Sequence, residues 1–440
     1  MSEEYDLFGE KIEKNELLRD KFIEPPFSVL DTKSGSWQKR KQAWKAIGMK
    51  SEVGRGGDMT FNKEAKSFDY YRVKEGKKKE SKEQGVTLKK PTVLDLFCGC
   101  GGLSYGFIQA GFNVVAGVDT DASALKTFHH SHEDSTPLEL DISSPGAIKA
   151  IDEVFQGELA DVIIGGPPCQ GFSLTGPRNF NDDRNRLYLS FIKLVSHHRP
   201  QAFLIENVPG LATLYKGSIK QEIVKGLSRL GYNVSVEILC AADYGVPQMR
   251  KRLVFIGVKR HLGKFSFPPK TNTVDNYVTC EDAIGDLPSR ETELGDEIDE
   301  YVDPPKTAYQ QLMRKNASNL YNHVATNHTD KVKNVIALVP EGGNHKDLPK
   351  GIGEHRKFNE AWTRYHSKRP SRTIDTGHRN HFHYSLDRVP TIRENARLQS
   401  FPDDFVFYGN KTQQNRQVGN AVPPLLAYEL AKRIREHLET

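Results

Sequence analysis

Long apolar runs are what this 440-residue sequence most plainly lacks. No stretch of about 18 consecutive apolar residues occurs, so no membrane span is predicted, and the heavily charged amino-terminal stretch has none of the apolar core of a secretory leader. An intracellular, cytoplasmic protein is the expectation. Cysteine is scarce too: Cys98, Cys100, Cys169, Cys240 and Cys280 are the only five. They are too scattered for a disulfide framework and have no paired C-x-x-C spacing for a zinc site, so reduced thiols and no metal are expected. Charge of one sign is not in excess either, since a net charge of +5 is mild for this length. Composition alone therefore leaves a polyanionic partner to be argued from local sequence. What is present is 37% hydrophobic residues, enough for a substantial core and two or three domains.

Residues 1–90 read as a polar arm ending in the lysine-rich linker "YRVKEGKKKESKEQGVTLKK". From Pro91 to about residue 260, short β-branched runs alternate with helical periodicity, the pattern of βαβ units and a mostly parallel sheet. Strands are predicted at "TVLDLF", "NVVAGVD", "DVIIGG", "AFLIENV", "VSVEILC" and "RLVFIGV", with helices among them at "LSYGFIQAGF", "RLYLSFIKLVSHH" and "IKQEIVKGLSRLGY". Residues 261–375 lose that rhythm and become rich in His, Asn, Lys, Pro and Gly, which predicts a smaller, irregular second domain. Residues 376–440 form a carboxy-terminal segment. Its last helix carries an apolar face at Leu425, Leu426, Leu430 and Ile434 that packs back on the first domain.

The motifs that carry chemistry fall at strand ends. In "VLDLFCGCGGLSYGF" a strand runs into a glycine turn at Gly99, Gly101 and Gly102 and then a helix, so a ligand can approach bare backbone. Asp119 closes the next apolar run, where a carboxylate is placed to hold a ribose diol; together these indicate a nucleoside cofactor. Cys169 follows the strand "DVIIGG", and Glu206 closes the strand in "LIENVPG". In open α/β sheets ligands bind beyond the carboxyl ends of the strands, so this thiol and carboxylate face one crevice with the cofactor. Pro167 and Pro168 deny the backbone a continuing ladder hydrogen bond and hold Cys169 on a rigid turn, unlike an inert core cysteine. Arg250 and Arg252 stand two apart at a strand entrance, on one face if the strand has begun, and suit a phosphate or a polar base edge. His129, His130 and His132, and His378, His381 and His383, lack partners at metal-ligand spacing and are expected at the surface or facing a polyanion.

The blocks "DLFCGCGGLSYGF", "GGPPCQGFS", "ENVPG", "QMRKRLVFIGV", "RENARLQSFPDDF" and "RQVGNAVPP" make residues 91–440 resemble the cytosine-5 DNA methyltransferase family. The resemblance implies a Rossmann-like S-adenosylmethionine-dependent α/β domain and a target-recognition domain over 261–375. It implies methyl transfer to C5 of a flipped cytosine in double-stranded DNA, in restriction–modification or in the modification of phage and mobile-element DNA. Cys169 would attack C6, Glu206 would hold and protonate the ring near N3, and Arg252 with Arg250 would stabilise the flipped base or its phosphate. Phe97 would stack on the adenine of S-adenosylmethionine, Gly99, Gly101, Gly102 and Leu103 would line its amino-acid portion, and Asp119 would grip its ribose. Asp141 and Ile142 would meet the adenine edge, and Pro168, Leu187, Asn420 and Val422 would complete the pocket. "QGFSLTGPRNFNDDRN" would be the loop that closes over the base. The same resemblance implies a monomer, no membrane association and a restriction endonuclease acting on the same site. Two other readings stay open: methylation of a transfer RNA, and a catalytically silent DNA-binding relative. Intact Cys169, Glu206 and both arginines speak against the second.

Overall fold

The computed structural model describes residues 57–62, 67–72, 90–168, 186–354, 361–377 and 380–439. Cys169, with the loop it opens, and most of the amino-terminal arm lie outside the described residues. Within that arm, Gly57–Asn62 and Ser67–Arg72 pair antiparallel. Among the described residues no helix is long and apolar enough to cross a membrane.

The centre is a seven-stranded sheet built from β1 (Thr92–Leu96), β2 (Asn113–Asp119), β3 (Thr136–Glu139), β4 (Val162–Gly165), β5 (Ala202–Asn207), β6 (Tyr232–Cys240) and β7 (Lys251–Lys259), in the order β3-β2-β1-β4-β5-β7-β6. Pairs from β3 to β5 are parallel, and β7 runs antiparallel to both β5 and β6. This is the mostly parallel α/β sheet that the alternating pattern predicts. β3 was not among the predicted strands: it has only four residues, "TPLE", and Pro137 lowers its strand signal. A sheet edge tolerates that proline because one side needs no ladder hydrogen bond.

β1 is buried at all five positions because helices cover both faces, which is why it reads as a continuous apolar run rather than an alternating one. On one face Val93 and Val114 pack with Phe107 of α1 (Gly102–Gln109). On the other, Leu94 and Leu96 pack with α3 (Ala147–Val154), α4 (Arg186–His198) and α5 (Ser218–Arg229), while α2 (Ala122–Ser131) starts on an Asp121 cap that accepts Ser123 and Ala124 N–H.

The second lobe contains α6 (Cys280–Ile284), α7 (Ala308–Arg314) and α8 (Asp330–Leu338), followed in the chain by α9 (Ile392–Leu398), α10 (Lys411–Asn420) and α11 (Pro424–Leu438). One apolar cluster joins Cys280, Ile284, Tyr309 and Met313 to Ile392, Ala396, Phe401 and Phe405, so packing does not break at the expected boundary after residue 375. Charge crosses the same boundary: buried Arg397 donates to Asp286 at 2.5 Å and to Asp403 at 2.9 and 2.7 Å. Periodicity cannot reveal such a seam, because the groups that meet are about a hundred residues apart.

α11 packs on α1 of the first lobe. Leu426, Leu430 and Ile434 are buried with Ala427 and Ala431 against Phe107, whereas Leu425 is half-buried. Burying those three large side chains is worth about 5–9 kcal/mol as an upper figure. The approach is close enough to require Gly106, where a Cβ would lie 2.5 Å from Ala427 Cβ. α10 was not predicted as a helix. Its sequence "KTQQNRQVGN" has no apolar stripe, yet Gln414, Asn415 and Gln417 are buried. Hydrogen bonds support them, as where Gln417 Nε2 donates to Tyr408 O at 2.8 Å and its Oε1 accepts Thr127 Oγ1 at 2.7 Å.

Candidate active site

Strand order reverses between β1 and β4, and the crevice opens beyond their carboxyl ends, the place where open α/β sheets take ligands. β1 leaves the sheet through a constrained turn: Phe97 has φ 62°, Gly99 φ 53° and Gly101 φ 93°. A positive φ on Phe97 is costly for a residue with a Cβ and must be held by its surroundings. Gly101 N–H donates to Cys98 O at 2.8 Å, and Gly99 N–H donates to Asp119 Oδ2 at 2.8 Å. Asp119 Oδ1 accepts Thr120 and Asp121 N–H at 2.7 and 2.9 Å. Asp119 thus orders the turn from the end of β2. Burial pushes its carboxyl pKa up, against these three donors.

The three glycines differ. Among the described residues a Cβ on Gly99 would meet nothing within 4 Å, so its face is open there. A Cβ on Gly101 would sit 2.2 Å from His132 Cε1, and one on Gly102 would sit 2.4 Å from Val422 O. Gly101 and Gly102 are therefore required by packing. His132 is correspondingly buried, stacked on Phe128 at 4.3 Å, with its ring nitrogens 2.8 Å from Phe128 O and 3.1 Å from Gly101 O. Burial lowers its pKa to about 4. This corrects the surface expectation for His132, as burial does for His381 and His383. His132, the C-cap of α2, is buried although His130, two residues before it, is exposed. His378 lies outside the described residues.

Below the turn, Asp95 is 1% exposed and accepts Ser104 Oγ at 2.6 Å, while its Oδ1 has no hydrogen-bond partner. Burial raises its pKa to about 8. The other expected cofactor residues differ in burial. Phe97 and Leu187 are half-buried, Leu103, Ile142 and Val422 are buried, and Pro168 and Asn420 are exposed. Asp141 Oδ1 accepts Ser143 N–H at 2.9 Å and Ser143 Oγ at 2.5 Å.

On the other side of the switch, Gly165 keeps β4 against β1, since a Cβ there would lie 2.1 Å from Leu96 O. Gly166 leaves room over Glu206, whose Oε2 would be 3.3 Å from an added Cβ. Asn207 Nδ2 donates to Pro167 O at 2.8 Å, tying the turn that delivers Cys169 to the end of β5. Sequence reasoning missed Asn207; its place directly after Glu206 at a strand end was the available signal. Arg252 Nε lies 2.7 Å from Glu206 Oε1, with both side chains about one-eighth exposed (12% and 13%). The pair is close in charge but not aligned as a hydrogen bond, so that oxygen has no aligned donor.

Arg250 and Arg252 have different partners. β7 begins at Lys251, so the alternation expected for two strand residues does not reach Arg250. Arg250 is 1% exposed, and its terminal nitrogens donate to Gly419 O at 2.8 Å and Ile374 O at 3.3 Å. Gln248, also missed, is fully buried beside it: its Nε2 donates to Leu398 O and its Oε1 accepts Ile374 N–H, both at 3.1 Å.

Among the described residues one group brings three metal-capable side chains together, Asp152, His197 and His198. It stands at the end of α4 opposite Leu187. Ala160 N–H donates to His198 Nδ1 at 3.2 Å, which leaves the proton of the neutral ring on Nε2, facing Asp152 Oδ1 at 3.6 Å. A proton on Nε2 opposes ligation through that nitrogen, which has no hydrogen-bond partner.

Comparison with known proteins bears on the same residues. Residues 91–436 match the family described as C-5 cytosine-specific DNA methylase. The type II methyltransferase M.DdeI of Desulfomicrobium norvegicum is 37% identical over 375 residues, covering 79% of this chain and 89% of its own. M1.HphI of Haemophilus parahaemolyticus, also a type II methyltransferase, is 39% identical over 350 residues, covering 78% and 86%. A crystal structure described as a DNA modification methyltransferase encoded within an E. coli prophage superposes with a TM-score of 0.65 at 30% identity, over 80% of this chain and 100% of that one.

Proposed function

Because this chain belongs to the C-5 cytosine-specific DNA methylase family and is a DNA cytosine methyltransferase related to type II restriction–modification enzymes, we propose that it methylates C5 of a flipped cytosine through a covalent adduct on Cys169. The observation that carries this reading is the Glu206–Arg252 pair, 2.7 Å apart, beneath the Gly166–Pro167 turn at the sheet's switch point.

C5 of cytosine is a poor nucleophile. Addition of the Cys169 thiolate at C6 forms the S–C6 bond, while the proton shared between Glu206 and N3 takes up the electron density and leaves C5 enamine-like. Glu206, held by Arg252 through Oε1, binds the N3 edge of the base. S-adenosylmethionine supplies the electrophilic methyl group when bound. Loss of the C5 proton to a base or water then expels the thiolate and gives 5-methylcytosine. None of this is possible inside a stacked duplex, so the base is taken out of the stack.

The crevice suits a nucleoside cofactor on three counts. Gly99 presents bare backbone that no described residue covers. Asp119 Oδ2, which accepts a single N–H, retains acceptor capacity for a ribose hydroxyl. Phe97, beside the turn, offers a half-buried ring for the adenine. Asp141, Ile142, Pro168, Leu187, Asn420 and Val422 complete the proposed pocket, and Leu103, Gly101 and Gly102 shape it from behind. Residues 261–375 are assigned to reading the DNA sequence by groove contacts. A cognate endonuclease is the companion that the type II relatives suggest.

Replacing Cys169 by Ala is expected to abolish methylation while leaving S-adenosylhomocysteine binding within about twofold by calorimetry. Bisulfite sequencing of DNA from cells expressing the wild-type chain reports base and site together. Full methylation by Cys169→Ala refutes the adduct.

A further inference from the structure

We infer that Arg250 is a positioning residue that couples the methyl-donor side of the crevice to the base-binding side and does not itself meet DNA. The inference rests on the assignment of those two sides proposed above. A phosphate or base contact needs an accessible donor, and Arg250 presents none: it is 1% exposed, both terminal nitrogens are engaged by Gly419 O and Ile374 O, and Nε, which has no hydrogen-bond partner, is itself buried.

Those two carbonyls belong to segments with different neighbours. Gly419 is the penultimate residue of α10 and leads into Asn420 and Val422. That link is wedged on both sides. A Cβ on Gly102 would lie 2.4 Å from Val422 O, so the link presses on the cofactor turn; a Cβ on Gly419 would lie 2.2 Å from Asp375 O, so it also presses on the second lobe. Gln248 repeats the clasp one layer away through Leu398 O and Ile374 N–H, and its neighbour Gln399 donates to Ala421 O at 2.6 Å. From Arg250 the chain reaches Arg252, and so Glu206, in two residues.

Movement of the 419–422 link on cofactor binding is therefore transmitted through the guanidinium to the start of β7 and the Glu206–Arg252 pair. Arginine suits the task because its planar fork reaches two separate carbonyls at once, whereas a lysine ammonium is a single point of attachment. Burial depresses its pKa to about 9, so it remains a cation at neutral pH beside Glu206.

The test compares wild-type, Arg250→Lys and Arg252→Lys chains. Affinity for a duplex carrying the methylated site is measured with and without saturating S-adenosylhomocysteine, alongside kcat and KM for S-adenosylmethionine. Wild type is expected to bind DNA at least about fivefold more tightly with the cofactor product present, the low end of ordinary coupling. Arg250→Lys should bring that factor to within about twofold of unity, raise KM and lower kcat. Arg252→Lys should lower kcat and keep the coupling. Gln248→Ala provides a second break in the same clasp with the same expected loss, and serves if Arg250→Lys does not fold. Retained coupling in both clasp variants overturns the inference, as does absence of coupling in an active wild-type enzyme. A uniform loss of DNA affinity with a shallower salt dependence in Arg250→Lys also overturns it, since that is the signature of a phosphate contact. A wild-type chain that methylates no DNA refutes the functional reading itself, and the inference with it.

Discussion

Alanine substitution at Gly99 and Gly101 separates a ligand-facing glycine from a packing glycine two residues away. At Gly99 the φ of 53° makes any Cβ cost about 1–2 kcal/mol, but the added methyl meets nothing within 4 Å. At Gly101 the φ of 93° adds to a Cβ placed 2.2 Å from His132 Cε1 and 2.8 Å from Phe128 Cδ2. Neither ring can yield easily, because they stack on one another at 4.3 Å and His132 is held between two carbonyls. Overpacking of about 1–3 kcal/mol then adds to the backbone term, for a total of about 2–5 kcal/mol. In thermal melts Gly99→Ala should lose only a few degrees and Gly101→Ala about twice as many. Calorimetry with S-adenosylhomocysteine should show the reverse emphasis for the folded proteins. Gly99→Ala, whose methyl projects into the crevice, should bind at least about tenfold more weakly, equivalent to about 1.4 kcal/mol. His132→Ala in the Gly101→Ala background should recover part of the lost stability, a non-additivity that independent sites do not show. Equal melting losses for the two glycines, or unchanged cofactor-product binding in Gly99→Ala, would refute the reasoning.

Arg252→Ala removes the cation beside a largely buried carboxylate, and such losses cost about 2–5 kcal/mol. Single-turnover methylation should fall by about 30- to 5,000-fold, and a loss under threefold in a folded variant would show that Arg252 does not hold Glu206 for the reaction. Asp95 gives a pH prediction: its folded pKa, raised by burial to about 8, lies above its ordinary 3.8, so the native state holds a proton that the unfolded chain releases. This contribution is fully present below the ordinary value and is lost as pH rises towards 8. Asp95→Asn keeps an acceptor for Ser104 and should flatten the fall in melting temperature across that window; an unchanged slope would show Asp95 to be ionised in the fold.

Much of the fold and site was legible in one dimension because its signals are local. Six of the seven sheet strands announce themselves as β-branched runs, and the glycine turn, Asp119, Glu206 and the proline pair before Cys169 all fall at strand ends, where α/β sheets place ligands. The misses share a cause. β3 carries a proline that only an edge position excuses, and α10 buries amides instead of an apolar stripe. Asn207 and Gln248 act through backbone carbonyls or amides that residue type does not advertise.

The sequence by itself determined the alternation of strands and helices, the family motifs and the residue types available for chemistry, since periodicity, turn chemistry and motif spacing are written within a few residues. Only the tertiary structure decided what each of those residues faces. It turned Gly99 to open space and Gly101 to a histidine, kept Arg252 on Glu206 while turning Arg250 to carbonyls 124 and 169 residues away, and drove a buried ion network across an expected domain boundary. Those outcomes depend on which distant surfaces are brought into contact, and adjacent residues of similar type receive different partners once they are.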